Sequence, residues 1–294
     1  MNSITIGTYN VKNLFDQCDV RPGTRTPVKS DRSKDALAEN ITRTNADVVT
    51  LQECSSKKTL DNFMKSRGLD KVYPHVAFVQ GNDQRGINVA IISKFPITEV
   101  VSHADARFPM ADGSGEECMF SRDLLRADLD IDGKPGADFT VYTTHLKSRR
   151  PAAPGEISAD TKRLSEGRAV RDIVEKEMKE VPGRMFVLTG DFNDGTHNAS
   201  VQAVLHPQNG GEEWVDSLAG KPDSERLTWP ANPTDRRFSP EQFDHMIYPK
   251  SQADKVIKSE IHRYGQSEHT DTRWVSSTAS DHLMVTTEFK LSDK

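Results

Sequence analysis

Residues 185–193 read MFVLTGDFN, and this stretch decides the fold. An apolar, β-rich run ends directly in polar groups, as it also does at residues 4–10 (ITIGTYN), 48–53 (VVTLQE) and 139–146 (FTVYTTHL). A fifth polar group, SDH at residues 280–282, precedes the last predicted strand. A packed sheet explains the apolar runs, but it does not explain the carboxylate, carboxamide or imidazole at each end. Because catalytic groups collect where strands of an α/β sheet give way to loops, the sequence predicts one polar site built from several strand ends.

The composition is that of a globular protein with a sizeable core. The chain has 294 residues, of which 35% are hydrophobic and 28% are charged. No run approaches the ~18 apolar residues that a membrane span needs. The N-terminus has no basic segment followed by an apolar one, as a signal peptide would. We therefore expect a cytoplasmic protein as written, or a secreted or periplasmic one if a leader was removed.

Charge and cysteine content exclude little. The formal net charge of -5 gives no sign of a nucleic-acid partner, although bound divalent cations and a local basic cluster can offset a negative mean charge. Cys18, Cys54 and Cys118 form no C-x-x-C zinc pattern, so reduced thiols are favoured. Nothing in the sequence indicates an obligate protein partner.

Strand-like and helix-like segments alternate along the whole chain, with no internal repeat and no linker. We therefore predict a single α/β domain over residues 1–294. The predicted strands are 3–11, 47–53, 87–93, 97–101, 119–131, 138–146, 184–190, 243–248, 254–263 and 283–290. The predicted helices are 33–45, with Ser30 among its candidate caps, 57–67 and 158–180. Polar stretches remain at 18–32, 105–118, 148–157 and 206–240. They are long for plain connections, so we expect some of them to line the substrate face.

Three side chains are candidate ligands for a divalent cation. Glu53 ends its strand in a carboxylate, and Asp281 offers a second carboxylate before the last strand. The carboxamide of Asn10 follows the first strand and could bind the ion or hold a ligand in place. Oxygen donors of this kind suit a hard cation such as Mg²⁺. Each residue also has a plain structural explanation, since Asn10 suits an Asx turn and Glu53 suits a turn that leads into a helix.

Five side chains are candidate catalytic groups. Asp191 and Asn193 would point the same way from an extended segment, Asp191 to accept a proton from water and Asn193 to orient that water or a phosphate oxygen. His145 and His282 could contact a phosphate or protonate a leaving oxygen. Asp244 could accept the other N–H of His282 and so fix its tautomer. The alternatives are a turn rich in Asp and Asn, and histidines that only pack.

Basic side chains supply candidate phosphate contacts. Arg122 could form a two-point contact with a phosphate, and Lys147 could add positive charge beside His145. Asn193 is the third substrate-binding candidate. The long loops contain further basic residues, namely Arg21, Arg25, Lys29, Arg32, Arg149, Arg150, Arg236 and Arg237. These side chains could contact a nucleic-acid backbone, or they could form an ordinary charged surface.

In their order along the chain, these groups resemble the endonuclease/exonuclease/phosphatase superfamily, which has the DNase I-like fold. The matching motifs are Tyr9-Asn10-Val11, Leu51-Gln52-Glu53, residues 89–97 (VAIISKFPI), Thr144-His145-Leu146, Gly190-Asp191-Phe192-Asn193, Phe243-Asp244 and Ser280-Asp281-His282. They extend over nearly the whole chain, and together they are more specific than any one of them.

The resemblance implies a four-layer α/β sandwich, in which two mixed β-sheets pack face to face with helices outside. It also implies hydrolysis of a phosphoester with Mg²⁺ or Mn²⁺. Some relatives use a structural Ca²⁺ in a loop, and the Asp-rich turn at 191–195 leaves this open. The superfamily includes DNases, abasic-site endonucleases, deadenylases, sphingomyelinases and inositol-phosphate phosphatases, so the fold alone does not name the substrate.

Departures from particular subfamilies favour a DNA nuclease similar to bacterial nuclease-like members. Cys54-Ser55-Ser56 after Glu53, and the motif at 144–146, differ from the pattern of abasic-site endonucleases. No exposed apolar hairpin for lipid insertion is evident. The expected partner is therefore a nucleic-acid substrate, with DNA favoured. Two alternatives stay open: a phosphodiesterase or phosphatase for a small molecule or lipid headgroup, and a non-catalytic nucleic-acid-binding module.

Overall fold

The structure, a computed structural model, describes residues 2–20, 27–151, 157–207, 210–230, 239–263 and 279–291. These residues form fourteen strands and four α-helices, numbered in chain order. The strands are β1 (Ser3–Leu14), β2 (Val48–Cys54), β3 (His75–Phe78), β4 (Asn88–Ser93), β5 (Ile97–Ser102), β6 (Phe108–Pro109), β7 (Glu117–Cys118), β8 (Leu124–Leu129), β9 (Phe139–His145), β10 (Met185–Asp191), β11 (Trp214–Asp216), β12 (Asp244–Pro249), β13 (Val256–His262) and β14 (Met284–Lys290). The helices are α1 (Asp31–Thr44), α2 (Lys57–Ser66), α3 (Ala159–Glu180) and α4 (Ala199–Leu205).

Twelve of these strands form two six-stranded sheets. The first sheet has the order β13-β14-β1-β2-β4-β3, and the second has the order β11-β12-β10-β9-β8-β5. Each sheet contains one parallel pair, β1 with β2 and β9 with β10, while its other neighbouring strands are antiparallel. Both sheets are therefore mixed. The two remaining described strands, β6 and β7, form a small hairpin.

The two sheets pack face to face because alternate residues of each strand point to opposite sides of its sheet. Ile4 and Ile6 of β1 share one hydrophobic core with Val141 of β9 and Val187 of β10. On the outer faces, α1 and α2 cover the first sheet, and α3 and α4 cover the second. Four layers result, and this confirms the α/β sandwich that the resemblance implied.

Local sequence signals set the helix ends. The Ser30 hydroxyl accepts a hydrogen bond from the Ser33 backbone N–H, as predicted for the cap of α1, and α1 ends at Asn45 with a φ of 49°. The hydroxyl of Ser158 caps α3 in the same way, by accepting from the backbone N–H of Thr161. No helix in the described part of the chain is both long enough and apolar enough to span a membrane.

The sequence pattern does not predict β3, α4 or β11, nor the hairpin of β6 and β7. β3, α4 and β11 have only 4, 7 and 3 residues, too few for a helical or strand period to stand out. β8 is also shorter than the predicted strand at 119–131. Ser121, before β8, donates its backbone N–H to the Glu166 carboxylate of α3 (2.7 Å) instead of to a neighbouring strand.

Candidate active site

Strand ends from both sheets meet at one edge of the sandwich. Asn10 of β1 and Glu53 of β2 come from the first sheet, while His145 and Asp191 end β9 and β10 of the second. The strand register pairs Asp191 with His145 on one side and with Asp244, the first residue of β12, on the other. Parallel neighbours place their carboxyl ends at the same edge of each sheet. Face-to-face packing of the two sheets then brings together Asn10 and Asp191, 181 residues apart in the chain.

Asp191 is the centre of this cluster, and only 1% of its surface is exposed. Its Oδ2 accepts a hydrogen bond from Asn10 Nδ2 (2.8 Å). The same oxygen lies 3.4 Å from His145 Nε2 and 3.8 Å from His282 Nε2. Its Oδ1 accepts a hydrogen bond from the backbone N–H of Asn193 (2.8 Å). Both sheets therefore hold one buried carboxylate in place.

His282 is oriented by a second carboxylate. Its Nδ1 lies 2.8 Å from Asp244 Oδ2, which directs Nε2 towards Asp191. The backbone N–H of His282 donates to Ser280 Oγ (3.1 Å), and Ser280 Oγ donates to the carbonyl oxygen of Asn10 (2.6 Å). Asp244 thus orients the imidazole ring, while Ser280, which is itself bonded to Asn10, holds the backbone of His282.

The protonation states of the cluster follow from burial and charge. Burial raises the pKa of Asp191 to about 6, although the positive charge of His282 opposes this. Burial lowers the pKa of His282, but Asp244 and Asp191 outweigh it and raise that pKa to about 10. Burial, reinforced by the charge of Arg122, lowers the pKa of His145 well below its ordinary value. Near pH 7 the cluster therefore holds an ionised Asp191, a charged His282 and a neutral His145.

Three buried polar atoms of the cluster have no hydrogen-bond partner among the described residues. They are His145 Nδ1, Asp244 Oδ1 and Gln52 Oε1. A buried polar atom without a partner costs about 1–3 kcal/mol, so native structures rarely leave one unless water or a ligand completes it. The cluster therefore has the unfilled bonding capacity of a binding site.

Polar contacts also join the two sheets beneath the cluster. Gln52 of β2 donates to Thr8 Oγ1 of β1 and to Thr143 Oγ1 of β9, each at 3.1 Å. The hydroxyl groups of Thr50 and Thr189 lie 2.8 Å apart across the same gap. These contacts fix the position of one sheet relative to the other, so they fix the distance between the two halves of the site.

The backbone is strained at this edge. Four non-glycine residues with positive φ lie there: Lys12 (49°), Asn13 (51°), Glu53 (68°) and Asn193 (53°). A register shift interrupts the pairing of β1 with β2, and another interrupts the pairing of β2 with β4. Such bulges turn side chains away from the sheet, and strain of this kind collects at functional sites.

The predicted metal ligands present oxygen atoms. Glu53 Oε2 accepts from the backbone N–H of Asn13 (2.7 Å), while Oε1 has only a long contact with Asn10 Nδ2 (3.4 Å). Asp281 Oδ2 lies 3.5 Å from Lys12 Nζ, and its side chain is 37% exposed. Asn10 Oδ1 accepts from the backbone N–H of Lys12 (2.9 Å) and keeps a second lone pair. This donor set fits Mg²⁺ or Mn²⁺ better than a soft metal.

A sequence model of one protein family matches residues 7–282, a span that includes all the predicted site residues. The chain belongs to the Endonuclease/Exonuclease/phosphatase family. Members of this family are generally phosphoester hydrolases. Comparison with curated protein sequences finds no match.

Several solved structures share the fold at low sequence identity. D. rerio TDP2 complexed with single strand DNA product is 18% identical, with a TM-score of 0.61 over 98% of this chain and 99% of that one. The human Nocturnin catalytic domain with bound sulfate anion is 13% identical, with a TM-score of 0.65 over 99% and 94%. Staphylococcus aureus beta toxin is 20% identical, with a TM-score of 0.64 over 97% and 99%. At these identities the similarity shows the fold alone.

The three predicted substrate-binding side chains of this protein differ in their exposure to solvent. Arg122 is buried: its Nη1 donates to the carbonyl oxygen of Leu146 (3.0 Å), and its Nε pairs with Asp83 (3.1 Å). Much of the hydrogen-bonding capacity of the Arg122 guanidinium is therefore used within the protein, at the end of β9. Lys147 is half-buried, and Asn193 Nδ2 donates to the same Leu146 oxygen (3.1 Å). Direct contact of these three side chains with a phosphate stays a prediction.

Of the eight basic residues predicted in the long loops, some form contacts within the protein and others are exposed. Arg149 forms a two-point contact with Glu241 (2.7 and 2.8 Å) and also pairs with Asp194 (3.1 Å). It therefore joins the segments that contain these two carboxylates. Lys29 donates to the carbonyl oxygen of Lys12, close to the predicted metal ligands Asn10 and Asp281 (3.0 Å). The side chains of Arg32 and Arg150 are exposed. The other four predicted residues, Arg21, Arg25, Arg236 and Arg237, lie outside the described residues.

Sequence reasoning missed two buried supports of the site. Glu166 of α3 accepts the backbone N–H of Lys147 (2.6 Å), just after His145. His245, which by its sequence alone could simply pack, contacts Asp216 and the carbonyl oxygen of Asp194. Its position next to Asp244 on a strand was the available signal, since neighbours on a strand face opposite sides.

A separate group of three carboxylates lies in the loop between β8 and β9. Oxygens of Asp130, Asp132 and Asp138 come within 4.8 Å of one another. This loop precedes β9, whereas His145 ends it, so the group lies at the opposite end of the strand from the candidate active site. In the Asp-rich turn at 191–195, which the sequence left open for Ca²⁺, Asn10 and the backbone N–H of Asn193 donate to Asp191.

Proposed function

We propose that the protein is a divalent-metal-dependent phosphodiesterase that cleaves DNA by in-line attack of water on a backbone phosphate. The observation that carries the proposal is the buried Asp191 carboxylate, with imidazole nitrogens of two histidines 3.4 and 3.8 Å away. A buried acid, a charged imidazole and adjacent oxygen donors are the groups that phosphoester hydrolysis needs.

Asp191 acts as the general base. Burial makes it more basic than an exposed aspartate, while it stays ionised near pH 7. Asn10 and the backbone N–H of Asn193 hold its two oxygens, so the carboxylate is aimed before substrate arrives. Asn193 still has its amide oxygen available to orient the water.

His282 and His145 act on the phosphate. His282, kept charged by Asp244, donates its Nε2–H to a phosphoryl oxygen or to the leaving oxygen. His145 stays neutral, and its ring is held against Asp191 at the end of β9. In this assignment Asp244 acts only through His282.

Glu53, Asp281 and Asn10 would hold the divalent ion, and their oxygen donors fit Mg²⁺ or Mn²⁺. Glu53 and Asp281 are partly exposed, whereas Asn10 is buried. When bound, such an ion supplies positive charge that neutralises the phosphate and the departing oxygen. Glu53 Oε2 is bonded to the backbone N–H of Asn13, so Oε1 would be the oxygen available to the ion.

Two observations support DNA as the substrate. Cationic side chains lie near the site although the net charge is -5: Lys12 pairs with Asp281, the charge of Arg85 acts on His145, and Lys147 follows His145. These side chains could follow a phosphate backbone. The fold is also that of a TDP2 structure which contains a single strand DNA product.

The test is a cleavage panel with Mg²⁺, Mn²⁺, Ca²⁺ or EDTA. The substrates are supercoiled plasmid, linear duplex, single-stranded DNA, RNA and bis-p-nitrophenyl phosphate. Asp191→Ala and His282→Ala should each abolish turnover while the protein stays folded, and Asp130→Ala, at the other end of β9, should not. Metal-dependent nicking of plasmid that is lost in Asp191→Ala supports the proposal.

Other outcomes would redirect the assignment. Hydrolysis of the small diester alone would indicate a small-molecule or headgroup phosphodiesterase. Tight metal-dependent DNA binding without cleavage would indicate a binding module. Near wild-type activity in Asp191→Ala or His282→Ala would show that the assigned roles are wrong. Nuclease binding should weaken steeply with salt, whereas a small substrate should give a flat response.

A further inference from the structure

We infer that His245 is a positioning residue: as a charged imidazolium paired with Asp216, it fixes the carbonyl group of Asp194 and thereby the turn that carries Asp191 and Asn193. His245 lies behind the turn and contacts no reacting group in the mechanism above. The inference rests on the proposed function, because a turn can be positioned for catalysis only if Asp191 is the base.

The hydrogen-bond geometry requires two ring protons on His245. Its Nδ1 lies 2.7 Å from Asp216 Oδ2, and its Nε2 lies 2.9 Å from the carbonyl oxygen of Asp194. Both partners accept hydrogen bonds, and a carbonyl oxygen can only accept. A neutral imidazole has a single N–H. The lone pair of its other ring nitrogen would then face an acceptor oxygen, either that of Asp216 or that of Asp194. With Asp216 ionised, only the imidazolium satisfies both contacts.

The surroundings of His245 stabilise this charge. The ring is fully buried, and so is the carboxylate of Asp216, whose oxygens also accept from Gln242 Nε2 and from the backbone N–H of Leu218. Burial disfavours the charged ring, but Asp216, the Asp194 carbonyl and the negative charge of Asp244 outweigh it, so the pKa of His245 is raised. Gln242 Nε2 lies 3.3 Å from Nδ1, but its N–H groups donate to the oxygens of Asp216 (3.0 Å each), because a protonated Nδ1 cannot accept a hydrogen bond.

Asp194 is held from its other side as well. Its Oδ2 pairs with Arg163 Nε of α3 (2.8 Å) and accepts from Ser200 Oγ (2.6 Å), and its Oδ1 pairs with Arg149 (3.1 Å). His245 therefore completes a set of contacts that hold Asp194 at the end of the turn. We call this set the Asp194 clamp, and its members are Arg149, Arg163, Ser200 and His245. Asn193, one residue earlier, has a φ of 53°, a conformation that persists only where neighbouring contacts impose it.

The clamp acts on one half of the site only. Asp191, Asn193 and Asp194 belong to the second sheet or to the turn that follows it, whereas the proposed metal ligands Asn10 and Glu53 belong to the first sheet. Loss of the clamp should therefore move the base and leave the ion's ligands in place. A displacement of about 1 Å at a reacting group can lower the rate about 100-fold. The expected signature is a fall in kcat with little change in metal affinity.

The experiment compares His245→Phe and Asp216→Asn with a matched control, His103→Phe. His103 is a half-buried histidine that likewise lies between a carbonyl oxygen, that of Leu124 (2.7 Å), and a carboxylate, that of Glu177 (2.8 Å). In His245→Phe the new phenyl ring would keep the packing against Phe192, whose ring centroid lies 5.0 Å from that of His245. Asp216→Asn would let the amide donate to Nδ1, so a neutral ring could keep its N–H on the Asp194 carbonyl.

We expect kcat to fall about 100-fold in His245→Phe, with Mg²⁺ affinity unchanged, and to fall less in Asp216→Asn. His103→Phe should lower the melting temperature but keep kcat. Nitrogen-15 spectra of labelled histidine should show both ring nitrogens of His245 protonated at pH 7 in the wild type, and one in Asp216→Asn.

Three results would overturn the inference: a neutral His245 ring in the wild type, wild-type kcat in His245→Phe, or an equal fall in His103→Phe. If His245→Phe does not fold, Asp216→Asn provides the test, since full kcat with a neutral ring would show that the charge plays no part. Failure of the proposed function looks different, because the wild type would then show no metal-dependent cleavage while the spectra stay as expected.

Discussion

Gly190 directly precedes the proposed base, and Gly190→Ala is the substitution whose effect the structure defines most sharply. Gly190 has a φ of 141°, a region that is essentially reserved for glycine. A Cβ atom there would lie 2.9 Å from the carbonyl carbon of Thr144 and 3.0 Å from its nitrogen, and nearer still to its oxygen. These are backbone atoms of the neighbouring strand β9, so no side-chain rotation can relieve the overlap.

The size of the effect follows from this geometry. The two strands must separate by about 1 Å or more to restore ordinary contact distances. Backbone strain and overpacking each cost about 1–3 kcal/mol, which in a protein of this size lowers the melting temperature by roughly 5–15 °C. His145 follows Thr144 and Asp191 follows Gly190, so the same separation pulls the base away from its histidine. We expect kcat/KM to fall about 100-fold.

The assay is metal-dependent DNA cleavage together with thermal unfolding, and Gly7→Ala is the matched control. A Cβ at Gly7 of β1 would meet the terminal methyl group of Met284 at 2.5 Å. That methyl group ends a flexible side chain and can rotate away, so Gly7→Ala should keep its activity and lose under about 2 kcal/mol of stability. Wild-type stability and activity in Gly190→Ala would refute the reasoning, and equal losses in both variants would point to a general sensitivity of strand glycines.

Three further predictions concern single side chains. Asp244→Asn should lower kcat by about 10²–10⁴-fold without changing Mg²⁺ affinity, because an amide no longer stabilises the charged His282. Steady-state kinetics and calorimetry test this, and an unchanged kcat would contradict it. Arg149→Met should lower the free energy of unfolding by about 2–3 kcal/mol through lost ion pairs, yet leave the salt dependence of DNA binding unchanged. If the slope of the logarithm of the DNA-binding constant against the logarithm of salt concentration fell by about 0.9, Arg149 would instead be a phosphate contact. Burial opposes the charge on His103, but Glu177 raises its pKa above the ordinary 6.5, so its stabilising contribution is fully present below about pH 6.5 and is lost as the pH rises through the raised value. The difference in melting temperature between wild type and His103→Phe should accordingly be largest in acid, and a difference that grows with pH would disprove the assignment.

The components of the candidate site could be predicted from the sequence because each stands at the end of a strand-like run. Asp191, His145 and Glu53 are polar groups that an apolar strand does not need, so their shared position at strand ends and their order along the chain marked them as candidates. Asp244 also stands at the start of a strand-like run, where the sequence predicts it as the partner of His282. These are local patterns, and local patterns are visible without knowing the fold.

The supports of the site were not predictable in this way. Gln52 appears in the sequence only as a neighbour of Glu53, but in the structure it joins the two sheets through Thr8 and Thr143. Arg122 is a candidate phosphate contact by its sequence, and the structure adds that it is buried and donates to the carbonyl oxygen of Leu146. In both cases the partner lies far along the chain or on another sheet, so no local pattern reveals it.

Local sequence was enough to predict the alternation of strands and helices, the N-terminal cap of α1 and the identity of the polar groups, because these depend on neighbouring residues. Tertiary structure alone decided that Asn10 reaches Asp191, 181 residues away, and that His282 lies between Asp244 and Asp191. It also decided which charges are buried and therefore which pKa values are shifted. The physical reason is that register and sheet packing set distances between atoms, and both burial and charge interactions depend on those distances rather than on order along the chain.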